Sequence, residues 1–102
     1  MGALKDFNYS LEETVIFSVA RAAAHPARVR IITELLTDRP YRNTDLSKIF
    51  QMAPSTIKKH IDMLKDAELV KVTYHLHYYD VALNEKGKKW SELFLQGSLE
   101  KQ

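Results

Sequence analysis

The side chains best suited to chemistry crowd into one stretch of the chain, where Ser55, Thr56, Lys58, Lys59 and His60 follow one another closely. Hydroxyl and ammonium groups at such spacing can donate to base edges and phosphate oxygens of a nucleic acid. A second polar set, Arg42, Asn43 and Thr44, lies shortly before it, and a third, Lys71, Tyr74, His75 and His77, shortly after. No comparable set exists for catalysis. There is no nucleophile elbow, phosphate loop, zincin helix or kinase signature, and the histidines and carboxylates lack catalytic spacing. The chain is therefore not expected to be an enzyme.

Metal chemistry is poorly served as well. With 0 cysteines the sequence has no thiolate ligand, disulfide or cysteine nucleophile. His75 and His77 have the spacing of a two-ligand fragment on one side of a strand. Two imidazoles without a nearby carboxylate or third histidine make a weak site, so neither metal nor cofactor is expected.

Charge is informative through its distribution rather than its total of +2. Residues 1–38 carry 4 basic and 5 acidic groups, residues 39–71 carry 7 and 4, and residues 72–102 carry 4 and 4. The positive excess coincides with the polar sets. That is what a phosphate-facing surface requires, and a solvated helix face would show it too.

Periodicity then gives the elements that must position these groups. Ser10-Leu11-Glu12-Glu13 has the capping-box form, so a helix starts there and runs to about Ala24. Its apolar residues cover nearly the whole circumference, more than one small domain can bury, which predicts a subunit partner. His25-Pro26 breaks it and opens a second helix to about Thr37, because proline at the first turn forfeits only an amide that has no helical partner. A short third helix is capped at Asn43 or Thr44 and ends near Gln51. After the turn at Met52-Ala53 a fourth runs from Pro54 to Asp66 with Ile57, Ile61 and Leu64 inward. Two short helices across a tight turn form a helix-turn-helix.

Past Leu69 the period becomes alternating, with Val70, Val72 and Tyr74 on one face and Lys71, Thr73 and His75 on the other. Tyr78 to Leu83 repeats it, giving a hairpin that turns near His75-Leu76-His77. Asn84-Glu85-Lys86-Gly87 caps a last helix with Trp90, Leu93 and Phe94 as its apolar stripe, reaching about Gln96. The fold class is mainly α with a small β-hairpin. It forms one winged helix-turn-helix domain over 1–102, with the helix-turn-helix at about 44–66, the wing at about 69–83 and terminal helices at about 10–24 and 85–97.

In that order the runs His25-Pro26-Ala27-Arg28-Val29-Arg30-Ile31-Ile32, Thr44-Asp45-Leu46, Ser55-Thr56-Ile57-Lys58-Lys59-His60-Ile61 and Ala67-Glu68-Leu69-Val70 resemble the ArsR family of bacterial and archaeal regulators. The resemblance spans about residues 10–99 and implies that the first and last helices pair two subunits. Leu11, Val15, Ile16, Val19, Trp90, Leu93 and Phe94 would then form the dimer interface. Ala53 and Lys58 stand where serines are usual, and Glu68 where a glycine is usual. The family's metal sensors use cysteines in the third helix or Asp-x-His and His-x-x-Glu in the last. Here the third helix reads Thr44-Asp45-Leu46-Ser47-Lys48 and the last has no histidine.

At about 100° per residue the side opposite Ile57, Ile61 and Leu64 holds Ser55, Thr56, Lys59, Asp62 and Met63. In a helix-turn-helix the front of that side enters the major groove, so Ser55, Thr56 and Lys59 would meet bases and Lys58 a phosphate. His60 lies beside the core face, where it resembles a family residue and can be structural as well as DNA-facing. Arg42, Asn43 and Thr44 would hold phosphate at the start of the third helix, or simply cap it. Lys71, Tyr74, His75 and His77 would form the DNA-following wing. Arg28 and Arg30 are expected to be structural and to pair with carboxylates, with phosphate contact as the alternative.

The function expected is a cytoplasmic, homodimeric regulator, a repressor, that binds double-stranded DNA sequence-specifically without metal. A winged helix used for protein–protein interaction in a larger assembly is the alternative. No basic leader opens the chain, and Thr14 to Ala20 is far shorter than the roughly 20 apolar residues a membrane span needs.

Overall fold

The computed structural model describes residues 10–37 and 39–100, the stretch 94–100 by its backbone alone. Helix α1, Leu11–Ala23, begins at the expected capping box. The Glu13 amide donates to Ser10 Oγ at 3.1 Å, and the Ser10 amide donates back to Glu13 Oε1 at 2.9 Å. Two of the amides that a helix start leaves unpaired are thereby satisfied. Helix α2, Pro26–Glu34, has proline in its first turn and His25 as cap, whose Nδ1 accepts from the Ala27 amide at 3.0 Å. It stops three residues before the expected Thr37, with Leu35 turned into the core as its C-cap.

The early stop makes room for an unexpected element. Tyr41–Arg42 form a short strand, β1, ahead of helix α3, Asn43–Phe50. Helix α4, Pro54–Asp66, follows after a turn in which Gln51 takes the left-handed conformation at φ 53°. Strands β2, Val70–Tyr74, and β3, Tyr79–Leu83, form the hairpin. Strand β1 adds to it, so the sheet has three antiparallel strands in the order β1-β3-β2. Tyr41 pairs with Val81 and Arg42 with Asp80. In the hairpin Val70, Val72 and Tyr74 face Leu83, Val81 and Tyr79. A two-residue strand carries too little period to be read from sequence, and its pairing here rests on Tyr41. That side chain is buried and donates its hydroxyl to Glu34 Oε2 at 2.7 Å.

The expected inward sets form one core, in which Ile31, Leu35, Leu46, Ile57, Ile61, Leu64, Leu69 and Val81 are buried. Val19 belongs to it too. At 1% exposure it cannot face a partner subunit, so its place in the expected interface is corrected: the circumference of α1 is apolar partly because one side serves the chain's own core. The last helix, α5, Glu85–Glu100, continues past the expected end near Gln96. The Phe94 side chain falls outside the described residues. The architecture is a winged helix-turn-helix.

Candidate nucleic-acid interface

Helix α4 is held by one stripe and leaves the other free. Ile57, Ile61 and Leu64 are buried, whereas Ser55, Thr56, Lys58 and Lys59 are exposed at its start. Pro54 occupies the first turn, Ala53 offers no side-chain cap, and the Thr56 and Ile57 amides both donate to the Ala53 carbonyl at 3.0 Å, so this helix end presents chiefly two hydroxyls and two amines. Lys58 donates to Asp62 Oδ2 at 2.8 Å, one turn along. That hydrogen bond, with the carboxylate's charge, raises the Lys58 pKa above its ordinary value. Lys59 is exposed on the outer side.

His60 departs from its assigned role. It is only 9% exposed and lies against His25, with ring centroids 4.8 Å apart, while Arg28 approaches its Nδ1 at 3.5 Å. It joins α4 to the start of α2 and is withdrawn from the exposed front of the helix. Its place one turn before Leu64, on the buried stripe, was the sequence signal. Arg28 departs as well: it donates to the carbonyls of Ala22 and Arg21 rather than to a carboxylate. Arg30 is exposed.

Burial first, then the neighbouring His25 and Arg28, lowers the His60 pKa below its ordinary value. The unfolded chain, with a histidine near 6.5, therefore takes up this proton first on acidification. Stability from this source is complete above about pH 6.5 and is lost as pH falls through the depressed folded value. Urea unfolding at neutral and mildly acid pH is expected to show lower stability in acid, with a smaller difference in His60→Gln. An equal pH difference in that variant would contradict this assignment.

The start of α3 is only partly open. Arg42 caps it and its amide donates to Asp45 Oδ2 at 3.2 Å, correcting the cap expected at Asn43 or Thr44. Asn43 is half-buried, and its Oδ1 accepts from the Tyr79 amide at 3.0 Å, tying α3 to β3. Thr44 is exposed beside it. The Arg42 guanidinium lies 3.9 Å above the Tyr78 ring centre.

In the wing, Lys71 and His77 are exposed, and Tyr74 turns toward α4, where Lys65 Nζ donates to its hydroxyl at 3.1 Å. His75 stacks on Tyr78 at 4.5 Å and reaches Asp80 Oδ2 at 3.0 Å. Asp80 supplies the neighbouring carboxylate that the sequence did not reveal. Among the described residues no three His, Cys, Asp or Glu side chains converge as metal ligands. Tyr78, Asp80 and Lys65 went unnoticed in the sequence because their roles depend on cross-strand register and on the unexpected β1.

Residues 25–72, which include α2, α3, α4 and the start of β2, match the family described as bacterial regulatory protein, arsR family. That stretch, a little under half of the chain, is similar to the arsR family. Members of that family are DNA-binding transcriptional regulators, and the match supports that coarse function here. No curated protein sequence matches it significantly. Among solved structures, HlyU from Vibrio cholerae N16961 is similar with a TM-score of 0.75 at 20% identity, covering 86% of this chain and 96% of its own. A transcriptional regulator homologue from Pyrococcus horikoshii OT3 is similar at 0.72 and 23% identity, covering 89% and 93%. A structure described as an ArsR family transcriptional regulator, RHA00566, scores 0.67 at 24% identity, covering 91% and 92%. At these identities the solved structures show the fold. Among the described residues no helix is long and apolar enough to cross a membrane.

Proposed function

We propose that this chain is a homodimeric, cytoplasmic repressor that reads a near-palindromic operator through α4, with the two half-sites about one helical turn apart. The observation that carries the reading is the division of α4 into a buried aliphatic stripe and an exposed front of Ser55, Thr56 and Lys59. Phosphates flanking each half-site are held by Lys58, Arg42 and Thr44, and by Lys71 and His77 of the wing. No metal is needed for binding.

The homodimer is supported by the outer side of the terminal helices, where Leu11, Ile16, Phe17 and Leu93 are exposed. Val15, Trp90 and Leu93 line one open groove between α1 and α5. Aliphatic and aromatic surface of this kind gains about 25 cal/mol per Å² on leaving water, which a second copy would provide. Phe17 was not among the residues expected at the interface; it lies one position beyond Ile16 on the same exposed side.

Light scattering and duplex titration together test the proposal. A dimer at tens of micromolar is expected, as is duplex affinity that falls with log salt at a slope near 0.9 per phosphate neutralised. Chelator leaves that affinity unchanged. A monomer, or binding insensitive to salt, would refute it.

A further inference from the structure

The hairpin tip carries a residue that phosphate contact does not explain. Leu76, 89% exposed, stands at the turn between β2 and β3, flanked by His75 and His77. The turn beneath it is braced. His75 donates its amide to the Tyr78 carbonyl at 2.8 Å and stacks on the Tyr78 ring, and its Nε2 reaches Asp80. Tyr78 in turn lies under Arg42 from β1. The hairpin's stem is fastened to the helix-turn-helix by Asn43 on the Tyr79 amide and by Lys65 on Tyr74. A hydrophobic point is therefore held rigidly relative to α4.

Charge around that point identifies its occupant. Arg42, Lys65 and Lys71 stand along the stem, while the hairpin's own carboxylate, Asp80, is engaged by His75. An apolar point with cations behind it complements a groove whose walls are phosphate and whose floor is stacked bases. Leucine is among the side chains that open a base step from the minor groove, and the step opens most readily where a pyrimidine precedes a purine.

We infer that Leu76 is a wedge that enters the DNA minor groove at the wing and partly unstacks one base step, so that the chain selects a flexible step there. The inference rests on the proposed DNA reading. It adds a specificity-determining residue at a position that makes no hydrogen bond to a base.

The test uses the full-length protein and the tightest-binding genomic fragment, with 2-aminopurine placed at successive steps beneath the wing. Wild type is expected to raise its fluorescence at one step in each half-site and to lose about tenfold affinity when the step in one half-site is changed from pyrimidine–purine to A–A, since burying a leucine is of that order. Leu76→Ser should abolish both the signal and the discrimination, and Leu76→Met should restore them. Circular dichroism is expected to match in all three, because Leu76 is exposed. Wild type that binds the fragment with no fluorescence change, or Leu76→Ser with undiminished discrimination, overturns the wedge and leaves the α4 reading standing. Failure of wild type to bind any duplex overturns both.

Discussion

Alanine at Gly87 is expected to lower the unfolding midpoint by roughly 10–20 °C. A Cβ there would lie 2.0 Å from the Leu69 carbonyl oxygen and 3.0 Å from its carbon, and the obstacle is backbone that cannot rotate away. The close approach has a purpose. Where α4 ends, the carbonyls of Ala67, Glu68 and Leu69 are met in turn by Lys86 Nζ at 2.9 Å, Asn84 Nδ2 at 2.7 Å and the Asn84 amide at 3.1 Å. Asn84 Oδ1 then accepts from the Gly87 amide at 2.7 Å, which starts α5. The added methyl separates α5 from this latch. The cost is about 2–3 kcal/mol, in the range of an overpacked core. Differential scanning calorimetry measures it, and a midpoint equal to wild type would show that the α5 start is not fixed against Leu69.

The second large effect is on binding rather than folding. Replacing Thr56 and Lys59 together by alanine is expected to weaken operator affinity by about 100-fold or more, since each lost base contact is worth about 1–3 kcal/mol. Both side chains are exposed, so stability should change by no more than about 0.5 kcal/mol. Each protomer loses one cation, so the dimer's salt slope also falls, by up to about 2. Fluorescence anisotropy at several salt concentrations separates these outcomes. Unchanged affinity would mean that the front of α4 faces something other than bases.

Much of this was legible from residue order. The capping box at Ser10, the prolines at 26 and 54 and the aliphatic stripe of α4 fix where three helices start and which side of the fourth is buried, because caps and periodicity are local signals. Alternation likewise located β2 and β3. Contacts between distant segments were not legible. Strand β1 is too short to carry a period, and the brace of Arg42, Tyr78, His75 and Asp80 exists only once β1 and β3 are aligned. Val19 and His60 were misplaced for a related reason. Which side of its helix each residue serves is decided by the neighbour that packs there: the core for Val19, and His25 with Arg28 for His60. Glu68 shows the converse. The resemblance places a glycine there, and the backbone does turn left-handed, at φ 60°, so the conformation is retained without the residue that usually permits it.

Because the chain has 0 cysteines, one can be introduced without background labelling. Ser55→Cys carrying a tethered iron chelate should cut operator DNA within each half-site, in the pattern of a reagent lying in the major groove. The same reagent at the exposed α2 position, Thr33→Cys, should leave the duplex intact. Cutting from position 33 with none from position 55 would contradict the placement of the α4 front against DNA.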